Sequence, residues 1–312
     1  MTKVEKIAFG LLAIFTVFAF IFWKDIRSFT GKKPGLAKVK SEKNDGAEKK
    51  SKKNKQEVAM AFDSSIKIVQ KWDMPSDLKE ISGIAYVGKN RFACVQDELG
   101  KIFIFNTATG EIEKEIQFAG SGDYEGIAIV GETAYIMRAD GKLFELKNYS
   151  SGKPSLVEHD THLTAKQDVE GLCYDEKNNR LLLAIKGREP NSKDYKGIYA
   201  FDLSSKKIET APAIKIDLTH NIWSGTKSKN KIQPSDIDVH PVTGDIYIVD
   251  GADSKLLVMG ADGTKKKLYQ LSNTDFPQPE GMAFNQAGEL FISNEGRTGT
   301  GNILKISLDG NL

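Results

Sequence analysis

The chain has 312 residues, 40% of them hydrophobic, which is enough for one sizeable core. Its net charge of +2 conceals an uneven split: residues 1–60 carry 14 Lys/Arg and 6 Asp/Glu, leaving 30 and 36 for residues 61–312. The acidic balance of the larger part excludes the electrostatic footprint of a nucleic-acid binder, and two cysteines in apolar runs, Cys94 and Cys173, exclude a disulfide framework or a cysteine-built zinc site.

In chain order, the first element is the uncharged run from Ile7 to Trp23, 17 residues long. As a helix it would span about 25 Å, near the lower limit for a bilayer. Lys3 and Lys6 precede it, and Lys24-Asp25-Ile26-Arg27 behind it offers no small-x-small cleavage site. Residues 1–24 therefore read as an uncleaved transmembrane anchor, with a cleaved signal peptide as the alternative. Residues 25–60 are rich in Lys, Ser, Gly, Glu and Asn and read as a flexible, disordered basic linker; contact of its lysines with anionic lipid headgroups is the other reading. More positive charge follows the apolar run than precedes it, which by the positive-inside rule would leave residues 61–312 in the cytoplasm.

The folded part carries a repeat. Ile81-Ser82-Gly83-Ile84-Ala85 recurs as Tyr124-Glu125-Gly126-Ile127-Ala128, Val169-Glu170-Gly171-Leu172-Cys173, Pro234-Ser235-Asp236-Ile237-Asp238 and Pro279-Glu280-Gly281-Met282-Ala283. The steps between second residues are 43, 45, 65 and 45, and a period near 40–45 with several short strands per unit is the signature of propeller blades. Second strands are expected at Phe92–Gln96, Ala134–Arg138, Leu181–Ile185, Ile246–Asp250 and Leu290–Asn294. Third strands follow Gly-containing turns, and fourth strands are expected at, for example, Glu111–Phe118 and Lys207–Ile216. The fifth unit ends with three strands, while Ser65–Trp72 is an orphan strand ahead of the first; pairing the two closes the ring and leaves no open edge. The 65-residue step reads as one blade with long loops at Lys186–Lys196 and Leu218–Gln233. The expected fold is all-β: a five-bladed β-propeller, with six blades as the alternative.

Innermost strands line a propeller's channel. Ser82, Glu125, Glu170, Ser235 and Glu280 form one expected ring, and Asp236 adds a carboxylate where the other units have Gly. Three glutamates around a narrow channel repel unless something compensates them. A second ring is expected from the strand ends: Gln96, Arg138, Lys186 (or Ile185), Asp250 and Asn294, with Glu295 in the adjoining loop. Three readings remain open here: a metal ion, internal ion pairs from Arg138 and Lys186 to Glu125 and Glu170, or an organic ligand. Gly296–Gly301 reads as a tight turn, with anion binding as the alternative, and His159 and His162 read as parts of a solvated loop. No nucleophile elbow, H-E-x-x-H, P-loop or EF-hand spacing is present.

The Glu-Gly segments at Glu125–Ala128, Glu170–Cys173 and Pro279–Phe284, together with Gln233–Pro241, Ile246–Asp250 and Leu290–Gly296, resemble the SdiA-regulated (YjiK-like) family of bacterial propellers over roughly residues 64–310. That resemblance implies a five-bladed propeller behind a membrane segment, a bound calcium ion, no established activity, and distant kinship with NHL-repeat propellers and metal-dependent lactonases. Carried onto this sequence, the metal role falls to Glu125, Glu170, Asp236 and Glu280, and a channel-mouth ligand would meet Arg138, Lys186, Asp250, Asn294 and Glu295. The resemblance also places the propeller outside the cytoplasm, where millimolar calcium makes weak sites useful. The expectation is a membrane-tethered, monomeric, calcium-binding module for a small-molecule or protein ligand. The alternatives are a metal-dependent lactonase or esterase and a scaffold without metal.

Overall fold

The computed structural model describes residues 65–308 apart from 225 and 227–230. The expected anchor and linker, residues 1–60, lie outside the described residues. The structure is a five-bladed β-propeller, so the six-blade alternative falls. A single strand, β1 (Ile66–Asp73), comes first. Blade 1 is β2 (Ile81–Gly88), β3 (Arg91–Gln96), β4 (Lys101–Asn106) and β5 (Glu111–Gln117). Blade 2 is β6 (Tyr124–Val130), β7 (Thr133–Arg138), β8 (Leu143–Lys147) and β9 (Ser155–His159). Blade 3 is β10 (Val169–Asp175), β11 (Arg180–Ile185) and β12 (Tyr195–Asp202), with β13 (Lys207–Ile208) and β14 (Ile214–Asp217) sharing the outer edge of β12. Blade 4 is β15 (Pro234–Val239), β16 (Ile246–Asp250), β17 (Lys255–Met259) and β18 (Lys265–Gln270). Blade 5 is β19 (Pro279–Phe284), β20 (Leu290–Asn294) and β21 (Asn302–Leu308), completed by β1.

The orphan strand closes the ring as expected. β1 runs antiparallel to β21, from Ile66 opposite Leu308 to Asp73 opposite Asn302. The continuous strand expected over Lys207–Ile216 is instead two short ones, because the intervening segment contains Pro212, which has no N–H to give to a ladder.

The core is divided among five apolar clusters, one between each pair of neighbouring blades. The cluster between blades 5 and 1 joins Leu78, Ile81 and Phe92 to Phe291 and Ile303, with Tyr86 stacked on Phe291 at 6.1 Å. Burial of these side chains, at about 25 cal/mol per Å² of apolar surface, is what holds first and last blades together. Cys94 and Cys173 are free and buried in these clusters, as small apolar residues.

The five first strands pack side by side around the axis. Their repeat glycines are required by that crowding. A methyl on Gly126 would stand 2.6 Å from Leu172 Cβ and 2.8 Å from the Glu170 carbonyl oxygen, and one on Gly171 would stand 3.0 Å from Ile237 N. Where the repeat has glycine, neighbouring inner strands therefore approach more closely than a side chain readily allows.

Candidate functional site

Each inner strand carries a β-bulge at the same place. The ladder register shifts between Ile81 and Ile84, Tyr124 and Gly126, Val169 and Gly171, Pro234 and Asp236, and Pro279 and Gly281. The residues left over are Ser82, Glu125, Glu170, Ser235 and Glu280, the second residues of the repeat. A bulge bends its strand and re-aims the extra side chain. Nothing in the sequence pattern announces it, because the inserted residue is also part of the motif.

Three of the re-aimed side chains are glutamates, and they share one field. Glu125 is pushed well above the ordinary carboxyl range by burial, then by Glu170, by Asp123 and by Glu280. Glu170, 5% exposed, is also raised by burial and by Glu280 and Asp168, although Lys186 opposes the shift. The Lys186 ammonium lies 2.7 Å from Glu170 Oε1. Burial disfavours its charge, but Glu170, Glu280 and Glu125 together raise it above the usual lysine value. The mouth is thus three carboxyl groups facing one ammonium, a balance of charge that a cation could complete.

Ladder register decides the second ring. Gln96, Arg138, Ile185, Asp250 and Asn294 pair with the first residues of the five repeats, so Lys186 stands one step further out, level with Asp97, Ala139, Gly251 and Glu295. Glu295 is raised by burial and by Glu280, with Arg297 opposing. Asp97 rises to about 6 through burial and the charges of Glu80, Glu98 and Glu295. Negative charge therefore continues from the ring around the blade 5–blade 1 side of the mouth.

The other expected residues are engaged elsewhere. Arg138 pairs with Asp140 at 2.7 Å, not with Glu125, because the turn to β8 places Asp140 two residues away. Asp250 is fully buried, 3.1 Å from Lys255 Nζ, and accepts the Gln233 and Asp253 amides at 2.9 and 3.0 Å. The Asn294 side chain donates to Asn302 Oδ1 at 2.9 Å, and its own Oδ1 has no partner among the described residues. Asp236 lies a layer below the ring: its carboxylate accepts amides of Leu172 at 3.2 Å, Ile237 at 2.8 Å and Met282 at 2.7 Å. Asp238, two residues on, accepts Phe284 N at 2.8 Å and is raised to about 7 by burial. It borders a cavity of about 120 Å³ at the far end of the channel, between Tyr86, Tyr174 and Phe284.

His159 is not in a solvated loop. It ends β9, its Nε2 lies 2.7 Å from buried Glu145, and its ring packs edge-on against Phe201 at 5.2 Å. His162 packs on Tyr199 at 5.4 Å. The Gly296–Gly301 segment is a tight turn joining β20 to β21.

As placed, no three His, Cys, Asp or Glu side chains among the described residues are grouped at metal-holding spacing. The donor chemistry nonetheless suits a hard cation, since every acceptor at the mouth is an oxygen. One of the glutamates, Glu170, is already paired with the Lys186 ammonium at 2.7 Å.

Residues 65–297 match the SdiA-regulated family, and the chain belongs to it. No curated protein matches the chain. Among solved structures it is similar to glutaminyl cyclase of Myxococcus xanthus, with 15% identity, a TM-score of 0.56, and coverage of 78% of this chain and 96% of that one. It is more distantly similar to a streptogramin B lyase, at 12% identity, TM-score 0.45 and coverage of 78% and 98%. The virginiamycin B lyase of Staphylococcus aureus matches at 14% identity, TM-score 0.42 and coverage of 74% and 68%. At these identities the likeness to the cyclase is one of fold.

Proposed function

We propose that this SdiA-regulated propeller is a non-catalytic binding module whose acidic channel mouth takes a cation, Ca²⁺ in the first instance, and through it a small-molecule or protein ligand. The observation that carries this reading is that Glu125, Glu170 and Glu280 are each the extra residue of a bulge at the same place in three inner strands, with the Lys186 ammonium 2.7 Å from Glu170. Glu125, Glu170 and Glu280 would hold the ion; Asp236, committed to three amides, would brace the strands beneath them. The ion would take the place of the protons that burial makes Glu125 and Glu170 retain, beside the charge that Lys186 supplies. The 17-residue apolar run supports a single-pass membrane anchor, and calcium use supports an extracytoplasmic propeller. Calorimetric titration of the full chain with Ca²⁺ tests this. One saturable site that disappears in Glu280→Gln is expected, and heats of dilution alone would overturn it.

A second reading draws on one observation. A carboxyl held above its ordinary range, as Glu125 is, can serve as a general acid, so a lactonase or esterase is the alternative. Lactone turnover abolished by Glu125→Gln would favour it over the binding module.

A further inference from the structure

At the end of the channel opposite the glutamate ring, hydrogen-bonding groups are shared out unevenly. By ladder register, Ile84 and Ile127 stand level with Met282, and Tyr86, Ile129 and Tyr174 stand level with Phe284. Met282 and Phe284 turn their amides to the channel, where Asp236 and Asp238 accept them. Asp238 takes the Val239 amide as well, at 2.8 Å. Both carboxylates belong to blade 4, and they reach amides of blades 3, 4 and 5. The amides of Ile84, Tyr86, Ile127, Ile129 and Tyr174 face the same channel with no side-chain acceptor among the described residues. Asp238 in turn has no cation beside it: burial and its two amides are what act on its carboxyl. Between the two sides lies the cavity of about 120 Å³. It exists because the repeat position held by Asp238 in blade 4 is Ala85, Ala128, Cys173 and Ala283 in the other blades. Tyr86, Ile129, Tyr174, Val239 and Phe284 around it are only partly buried, so it opens to solvent on this face. The rings of Tyr86 and Phe284 pack between blades, on Phe291 and Tyr247, which leaves backbone rather than aromatic faces toward the cavity. An apolar cavity of about 150 Å³ holds benzene, so this one has room for roughly four or five non-hydrogen atoms.

We propose that this end of the channel is a second binding site, for a small uncharged molecule that both accepts and donates hydrogen bonds, a primary amide in the first instance. The site is independent of any ion at the glutamate ring. One wall offers N–H groups in need of an acceptor, and the other offers a carboxylate in need of a donor. An ammonium would meet backbone N–H dipoles of the wrong sign, and a carboxylate ligand would meet Asp238. A purely apolar molecule would displace water from both walls without replacing its hydrogen bonds, which loses affinity. A primary amide answers both walls: its carbonyl would accept from the amides of blades 1 to 3, and its NH₂ would donate to Asp238. A short alkyl group on it would lie against Ala85, Ala128 and Ala283, whose side chains are too small to fill the space themselves.

The test compares three probes of similar size, acetamide, acetate and isopropylammonium, titrated into the full chain and read by ligand-observed NMR. EDTA is present throughout, so the result does not depend on the cation reading. The pH is held well above the value of about 7 to which burial raises Asp238, so that its carboxylate is ionised. Acetamide should bind saturably, and the two charged probes at least about tenfold more weakly. Asp238→Ala should weaken acetamide about tenfold, since the donor loses a charged partner. Ala85→Leu, which fills the cavity from a partly buried position, should abolish the response and serves where Asp238→Ala fails to fold. No acetamide binding to wild type would overturn the proposal and leave the cavity to water. Acetate or isopropylammonium binding as tightly as acetamide would overturn the assignment to an uncharged ligand. Acetamide binding unchanged in both variants would place it elsewhere on the protein and overturn the site.

Discussion

Asp236 of blade 4 accepts a hydrogen bond from the Met282 amide of blade 5 at 2.7 Å, while its other oxygen takes the Leu172 amide of blade 3. Inner strands have a free edge toward the channel, and their N–H groups there have no ladder partner. One carboxylate, placed where the other four repeats have glycine, satisfies amides on both sides and stitches three blades together. Asp236→Ala should destabilise the protein by about 2–4 kcal/mol, since buried donors are left unpaired. Asp236→Asn, which keeps one acceptor oxygen, should fall between. Urea unfolding monitored by tryptophan fluorescence checks both, and an unchanged midpoint in Asp236→Ala would contradict the stitch.

The repeat glycines make a sharper contrast. Gly126→Ala forces a methyl to 2.6 Å from Leu172 Cβ, inside any real contact, whereas a methyl on Gly152 meets nothing within 4 Å. Gly126→Ala should lower the thermal midpoint by several degrees and disturb Glu125 beside it, at a cost of about 1–3 kcal/mol for overpacking. Gly152→Ala should leave the midpoint within a degree of wild type.

The pH dependence follows from the raised glutamates. Above about 4.5, its ordinary value, Glu125 in the unfolded chain has lost a proton that burial and Glu170 make the folded chain retain. Its contribution to stability is thus complete at acid pH and is lost as pH rises through the elevated folded-state value, beyond which it changes no further. Glu170 acts in the same sense, with Lys186 tempering it. In EDTA, the thermal midpoint should decline from mildly acid to alkaline pH, and Glu125→Gln should flatten that decline. An equally steep decline in Glu125→Gln would show that other groups set it.

Ring closure depends on β1. A chain beginning at Met74 leaves the whole β21 edge, Asn302 to Leu308, without a partner. Exposed edges pair with other chains. That truncation should yield aggregated or poorly soluble protein, whereas the full chain should stay soluble and folded. Gel filtration and circular dichroism distinguish the two.

Much of this architecture was legible in the sequence, because each blade repeats one apolar pattern and the count of strands demands that Ile66–Asp73 complete blade 5. The glycine at the third repeat position marks a close approach of neighbouring inner strands, which only the assembled ring displays. The site was legible only in outline. The pattern named Glu125, Glu170 and Glu280, but the bulge that aims them depends on pairing register, which a strand's own sequence does not display. Arg138 and Lys186 looked interchangeable as counter-ions. Local turn geometry gives the first to Asp140, and the register advances the second one residue to Glu170. Asp236 looked like one more acidic ligand, because an unpaired amide on a neighbouring blade leaves no trace in its own motif. His159 lies at a strand end that spacing alone had assigned to a loop.

Whether the glutamate ring holds a cation is read from the thermal midpoint of the full chain in EDTA and then in rising Ca²⁺, for wild type, Glu125→Gln and Glu280→Gln. An ion bound only by the folded state adds about 2.7 kcal/mol at a concentration a hundredfold above its Kd. The wild-type midpoint should climb with Ca²⁺, and the response should be weakened or lost in both variants. A midpoint indifferent to Ca²⁺ in all three proteins would contradict it and leave Lys186 as the ring's whole complement of positive charge.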